Sequence, residues 1–169
     1  MQALVRAMAL AFCLLPSLAS QATPKPLPAA LNSMLLLKLL SYEQSLSLRE
    51  NINILVINDE PLARALKQKT GIKIGQAQLG AVYHNEAPPE KAVHVIYING
   101  EQNLDKTLQY AKTHHALTVS NDLALAHLGV ALILHDDEGL PGVVISMKPS
   151  RALDLNWDPK VLEISTLIY

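Results

Sequence analysis

ALTVSNDLALAHLGVALILHDDEGLPGVVISM, residues Ala116 to Met147, is the stretch from which the fold can be read. Ala116 to Val119 is a short apolar and β-branched run that predicts a strand. Ser120 then offers a side-chain oxygen to the free amides of a first helical turn, and Asp122 places a negative charge in that turn. Leu123, Ala124 and Leu128 share one face of a short helix, and Gly129 stops it. Val130 to Leu134 is apolar enough for a strand buried on both faces. Asp136-Asp137-Glu138-Gly139 predicts a polar turn, and Val143-Val144-Ile145 the strand that returns from it.

The same alternation extends towards the N-terminus. Ile52 to Ile57 predicts a central strand, and Asn58-Asp59 caps a helix with Pro61 in its first turn and Gly71 past its end. Ile72 to Leu79 alternates weakly as a second strand, Glu86 to Glu90 reads as a surface loop, and Val93 to Ile98 is a third strand. After Gly100 a helix carries Leu104, Leu108, Ala111 and His115 on one side. Towards the C-terminus, a helical turn through Ala152 and Leu153 precedes a segment from Asp158 to Leu167. That segment reads as a helix packing back on the sheet. Strands alternating with helices predict an α/β fold: one domain, a three-layer sandwich. Its sheet is mostly parallel, with an antiparallel hairpin at one edge and helices on both faces.

Residues 1–22 stand apart from this pattern. Arg6 precedes the apolar run Ala7 to Leu15, Pro16 breaks that run, and Ser20-Gln21-Ala22 has the small residues a signal peptidase reads. The expectation is a cleaved secretory signal peptide and a periplasmic destination, since the run is too short to span a bilayer comfortably. Cys13, the single cysteine, would leave with it, so the mature chain would hold neither disulfide nor thiol. Residues 23–28 form a Pro-rich tether, and residues 29–169 the folded domain. The 14 basic residues are matched by 15 acidic ones, a balance that implies no nucleic-acid partner.

Motifs that carry chemistry are sparse. His114-His115 are adjacent and diverge on a helix, and His135-Asp136-Asp137 is a single local cluster, so no metal site is expected. Ser120 stands where a strand-to-helix nucleophile could sit, but Asn121 and Asp122 make it capping chemistry, and no Gly-x-Ser-x-Gly is present. The turn Asn58-Asp59-Glu60-Pro61 is acidic and free of glycine, which argues against nucleotide binding there. No cofactor is expected.

Ala29 to Leu46 predicts a first helix whose apolar residues, from Leu31 through Leu40, run almost all the way round it. Burial in the protein's own core is one reading. The other is that one face, with Leu35 and Leu39 or with Leu36 and Leu40 and followed by Tyr42, is covered by a second protomer or a partner.

Three pieces of the chain resemble the YfiR family (DUF4154) of periplasmic regulatory proteins. LLLKLLSYEQSLSL, from Leu35 to Leu48, is similar to that family's first helix. Ala116 to Gly129 is similar to its strand ending in Thr-Val with the helix and glycine that follow. Val130 to Met147, with Ala152 and Leu162, resembles its closing hairpin and C-terminal helix. The resemblance implies a non-enzymatic regulator that binds a membrane-bound signalling protein, such as a diguanylate cyclase, and tends to dimerise. Tyr42-Glu43-Gln44 replaces the Trp-Pro often found after the first helix in that family, and the absence of cysteine from the mature chain removes redox sensing from the expectation. The alternative is a periplasmic module that binds a small ligand in a crevice at the carboxyl ends of the strands, where the strand order switches. An enzyme is the third reading.

Overall fold

A computed structural model describes residues 26–84 and 93–169. The expected leader with Cys13, the tether as far as Lys25 and the loop Glu86 to Glu90 lie outside the described residues. The elements in chain order are α1 (Ala29–Leu40), α2 (Gln44–Ser47), β1 (Asn51–Ile57), α3 (Glu60–Lys67), β2 (Lys73–Ile74), β3 (Ala77–His84), β4 (Val95–Ile98), α4 (Leu104–His114), β5 (Leu117–Ser120), α5 (Ala124–His127), β6 (Leu132–Asp137), β7 (Leu140–Ser146), α6 (Met147–Ala152), α7 (Pro159–Glu163) and β8 (Thr166–Ile168). One sheet holds all eight strands in the order β2-β3-β1-β4-β5-β6-β7-β8.

The centre of that sheet is parallel: β1 pairs with β3 and β4, β4 with β5, and β5 with β6. Apart from the weakly alternating β3, these strands carry the apolar runs of the sequence, and every residue of β4 and β5 is buried, as a strand covered on both faces requires. In β4 and β5, Tyr97 is level with Val119 and Ile96 with Thr118, so the two pairs point to opposite faces. Tyr97 reaches Asn32 of α1, whereas Thr118 borders a cavity with residues of α4 and α5. The first helix therefore covers one face, together with α3, and α4 and α5 cover the other, giving the three layers expected.

The hairpin β6–β7 turns at Glu138-Gly139, both with positive φ (52° and 91°), as a tight two-residue hairpin demands. Asp136 Oδ1 accepts the Gly139 amide and fixes the turn. The start of α3 also follows the sequence, with Asp59 Oδ1 accepting the Leu62 amide.

Three element boundaries differ from expectation. The first helix ends at Leu40 instead of running to Leu46. Leu48 and the sheet beyond are reached through a break in which Glu43 forms an isolated bridge to Trp157, before a separate turn of helix. The single strand expected over Ile72 to Leu79 is a hairpin: Gly75 takes φ 63°, β2 folds antiparallel onto β3, and β3 continues to His84. The C-terminal segment forms only the short α7. Its β-branched residues then enter β8, which pairs parallel to β7 and adds one strand beyond the hairpin.

Candidate functional site

Helix α1 is two-faced. Asn32, Ser33, Leu36, Leu37, Leu39 and Leu40 point inward and are buried. Leu31, Met34 and Lys38 point outward with Leu35 half-buried beside them, at the spacings of three and four that mark one side of a helix. Of the residues expected at an interface, Leu36, Leu39 and Leu40 thus lie in the core, at 0%, 3% and 0% exposure, while Leu35 and Tyr42 stay partly accessible. Tyr42 sits under the Lys38 ammonium, whose Nζ is 5.0 Å from the ring centroid. The most exposed large apolar side chain of the helix is Met34, at 61%.

The outer face continues into a groove of about 550 Å³ between α1 and the turn leading into β2. Met34 and Leu37 form one wall, Ile72 the other, and Lys38, Lys69 and Lys73 surround it. None of the three lysines makes an ion pair among the described residues. Leu31 and Ile72 escaped the sequence reading as surface residues. The recurrence at 31, 34, 35 and 38 was the available signal for the first, whereas Ile72 becomes exposed only because the strand expected there is a hairpin.

The position of α1 is held by Glu43. Its carboxylate is completely buried and accepts from the amides of Leu46 and Asn156 (both 2.7 Å) and from the Ser45 hydroxyl. Backbone bonds from Gln44 N to Asn156 O and from Asp158 N to Tyr42 O flank it, so the segment after α1 is sewn to the segment before α7.

The other singled-out residues have structural places. Ser120 Oγ accepts the Asp122 amide and Asp122 Oδ1 accepts the Ala124 amide, so both shape the turn from β5 into α5. The helix itself starts only at Ala124, after Leu123 and without a side-chain cap, so Ser120 is not its cap and Asp122 precedes its first turn. The His114 ring stacks on Tyr110 with centroids 4.0 Å apart, while His115 turns away in a left-handed conformation (φ 50°), its Nδ1 3.0 Å from Asp154. His135 packs over Gly142 in the hairpin. Among the described residues no three His, Cys, Asp or Glu side chains converge as metal ligands.

The strand order switches at β1, between β3 and β4. At that point Asn99 Nδ2 donates to Asn58 O (3.1 Å) and ties the carboxyl ends of β1 and β4 together. A second cavity of about 550 Å³ lies elsewhere, at the amino ends of β5 and β6, between α4, α5 and α6. His94 Nδ1 accepts the Asn53 amide at 2.9 Å, and burial, with help from the Arg49 guanidinium, holds its pKa below the ordinary value.

No curated protein sequence matches this one closely enough to count as a relative. The YfiR/HmsC-like family profile matches residues 29–166, from the first residue of α1 into β8. The match spans the sheet and the helices just described, and on that ground the chain belongs to the YfiR/HmsC-like family.

Proposed function

We propose that this protein is a periplasmic, non-enzymatic regulator that acts by contact with a membrane signalling protein, a diguanylate cyclase being the first candidate. Family membership supports the class of activity. The observation that carries the contact reading is the outer face of α1: Leu31 and Met34 are exposed at 40% and 61%, and three lysines with no ion pair among the described residues frame the adjoining groove. Apolar residues grouped on one face favour a protein contact, and the lysines favour a partner surface that is apolar at its centre and acidic at its rim. Leu35 and Tyr42 belong to this contact, and Leu36, Leu39 and Leu40 support it from beneath. A second copy of the chain is the competing occupant of the same face.

The test is affinity capture from detergent-solubilised membranes of the source cells. The wild-type protein should retain a membrane protein bearing a cyclase or kinase domain, and Met34→Glu should lose it while keeping its melting temperature. Equal capture by Met34→Glu, or capture of no membrane signalling protein, overturns the proposal. Dimerisation of wild type that Met34→Glu abolishes, without membrane capture, assigns the face to a second copy.

A further inference from the structure

We propose that the cavity between α4, α5 and α6 binds a small amphiphilic anion, an apolar body carrying one carboxylate. Its volume of about 550 Å³ falls within the range typical of small-molecule sites, roughly 300–1,000 Å³. Small residues open it: Ala111 and Ala126 stand where larger side chains would fill the space between the helices and the sheet. Gly129 takes φ 111°, and a Cβ there would come within 3.3 Å of Leu108 Cδ1, which itself lines the cavity. Leu108, Leu153 and Ile168 supply apolar wall for the body of a ligand.

The charge of the lining sets the sign of the ligand. Lys112 of α4 and Lys148 of α6 border the cavity, and no Asp or Glu side chain does, although the chain as a whole has 15 acidic residues against 14 basic ones. Neither lysine makes an ion pair among the described residues. Beneath the cavity Thr118 is fully buried, and its Oγ1 accepts the Ala131 amide at 2.9 Å, which fixes the floor where β5 meets the start of β6. Two ammonium groups without ion pairs among the described residues, above apolar wall, match a carboxylate on an apolar body.

The cavity is on the opposite face of the sheet from α1, so this inference is independent of the contact reading and its failure leaves that reading untouched. Octanoate is the probe, with octanol and octylammonium as neutral and cationic counterparts of the same chain. Calorimetric titration and melting temperature should show saturable octanoate binding at least about tenfold tighter than either counterpart. The double variant Lys112→Gln/Lys148→Gln should weaken octanoate about tenfold or more. Ala152→Trp, at an exposed position on the cavity wall, should weaken all three, with the circular dichroism spectrum of each variant unchanged. No octanoate binding, equal binding of the three probes, or octanoate affinity unchanged in the double variant overturns the proposal.

Discussion

Glu43 Oε1 accepts the backbone amide of Asn156 at 2.7 Å, joining residues 113 positions apart. The other carboxylate oxygen takes the Leu46 amide, and the Ser45 hydroxyl reaches both oxygens, so all three of these partners are donors. Glu43→Gln presents an NH₂ to donors and should destabilise the protein by roughly 2–4 kcal/mol, with Glu43→Ala at least as severe, because buried amides lose a charged acceptor. Urea denaturation of the two variants measures it, and a change under about 0.5 kcal/mol in both would remove Glu43 from this role.

That lock also explains where sequence reasoning stopped short. The strands β1, β4, β5 and β6 were legible because each holds a short cluster of apolar and β-branched residues bounded by polar or turn residues, too short for a helix. The end of α1 was not, because Tyr42-Glu43-Gln44 has ordinary helix propensity, and the helix stops there through a contact with Asn156 and Trp157 that no local pattern carries. At Gly75 and in Ile164 to Ile168 the local signal existed, a glycine fit for positive φ and a cluster of β-branched residues, and the apolar period outweighed it. The candidate contact face was harder to read than the fold. A helix apolar on all sides does not declare which face is core, and only the packing of Leu36, Leu39 and Leu40 against the sheet separates them from Leu31 and Met34.

His94 predicts a dependence on pH. Its Nδ1 accepts the Asn53 amide, so the folded state requires the neutral ring, and burial lowers its pKa in that state. A lowered folded-state pKa means that the unfolded chain binds the proton more readily. The contribution to stability is therefore complete above the ordinary histidine value of about 6.5 and is lost progressively as pH falls through and below it. Melting curves between neutral and mildly acidic pH should show a steeper loss for wild type than for His94→Gln. Parallel curves would show that His94 is not the linked group.

Asn32 Nδ2 donates to the Tyr97 hydroxyl at 2.7 Å, while Asn32 Oδ1 is buried with no partner among the described residues. Burial also pushes the Tyr97 phenol well above its usual pKa, so it stays neutral. Tyr97→Phe should destabilise by about 1–3 kcal/mol because it leaves the whole Asn32 amide unsatisfied. Adding Asn32→Leu should recover part of that loss, since two apolar partners need no hydrogen bond. Additive losses in the double-mutant cycle would contradict the pairing.

Gly80 is required by a close approach rather than by its φ. A Cβ there would collide with Asn53 Oδ1, which accepts the Ala81 amide at 3.0 Å, beside the register shift between Ile52 and Ile54. Gly80→Ala should displace the Asn53 side chain, free the Ala81 amide and destabilise by about 1–2 kcal/mol. Hydrogen exchange at Ala81 should accelerate more than at the β1–β4 amides. Uniform acceleration would point to global destabilisation instead.

The two faces of α1 make the sharpest prediction about stability. Leu36 and Leu40 are one turn apart, wholly buried, and packed in the same core as the central strands. A glutamate at either position buries a carboxylate with no partner, at a penalty of several kcal/mol, which is of the order of the whole stability of a domain this size. Leu36→Glu and Leu40→Glu should therefore unfold the protein. Leu31 and Met34 lie on the opposite side at 40% and 61% exposure, where a carboxylate keeps its water, so Leu31→Glu and Met34→Glu should change stability by no more than about 0.5 kcal/mol. Leu35, half-buried between the two faces, should fall between them. Circular dichroism melts of the five variants give the order directly. If Leu31→Glu or Met34→Glu unfolds the protein as Leu36→Glu does, the outer face is core as well, and the contact surface proposed for this helix must lie elsewhere.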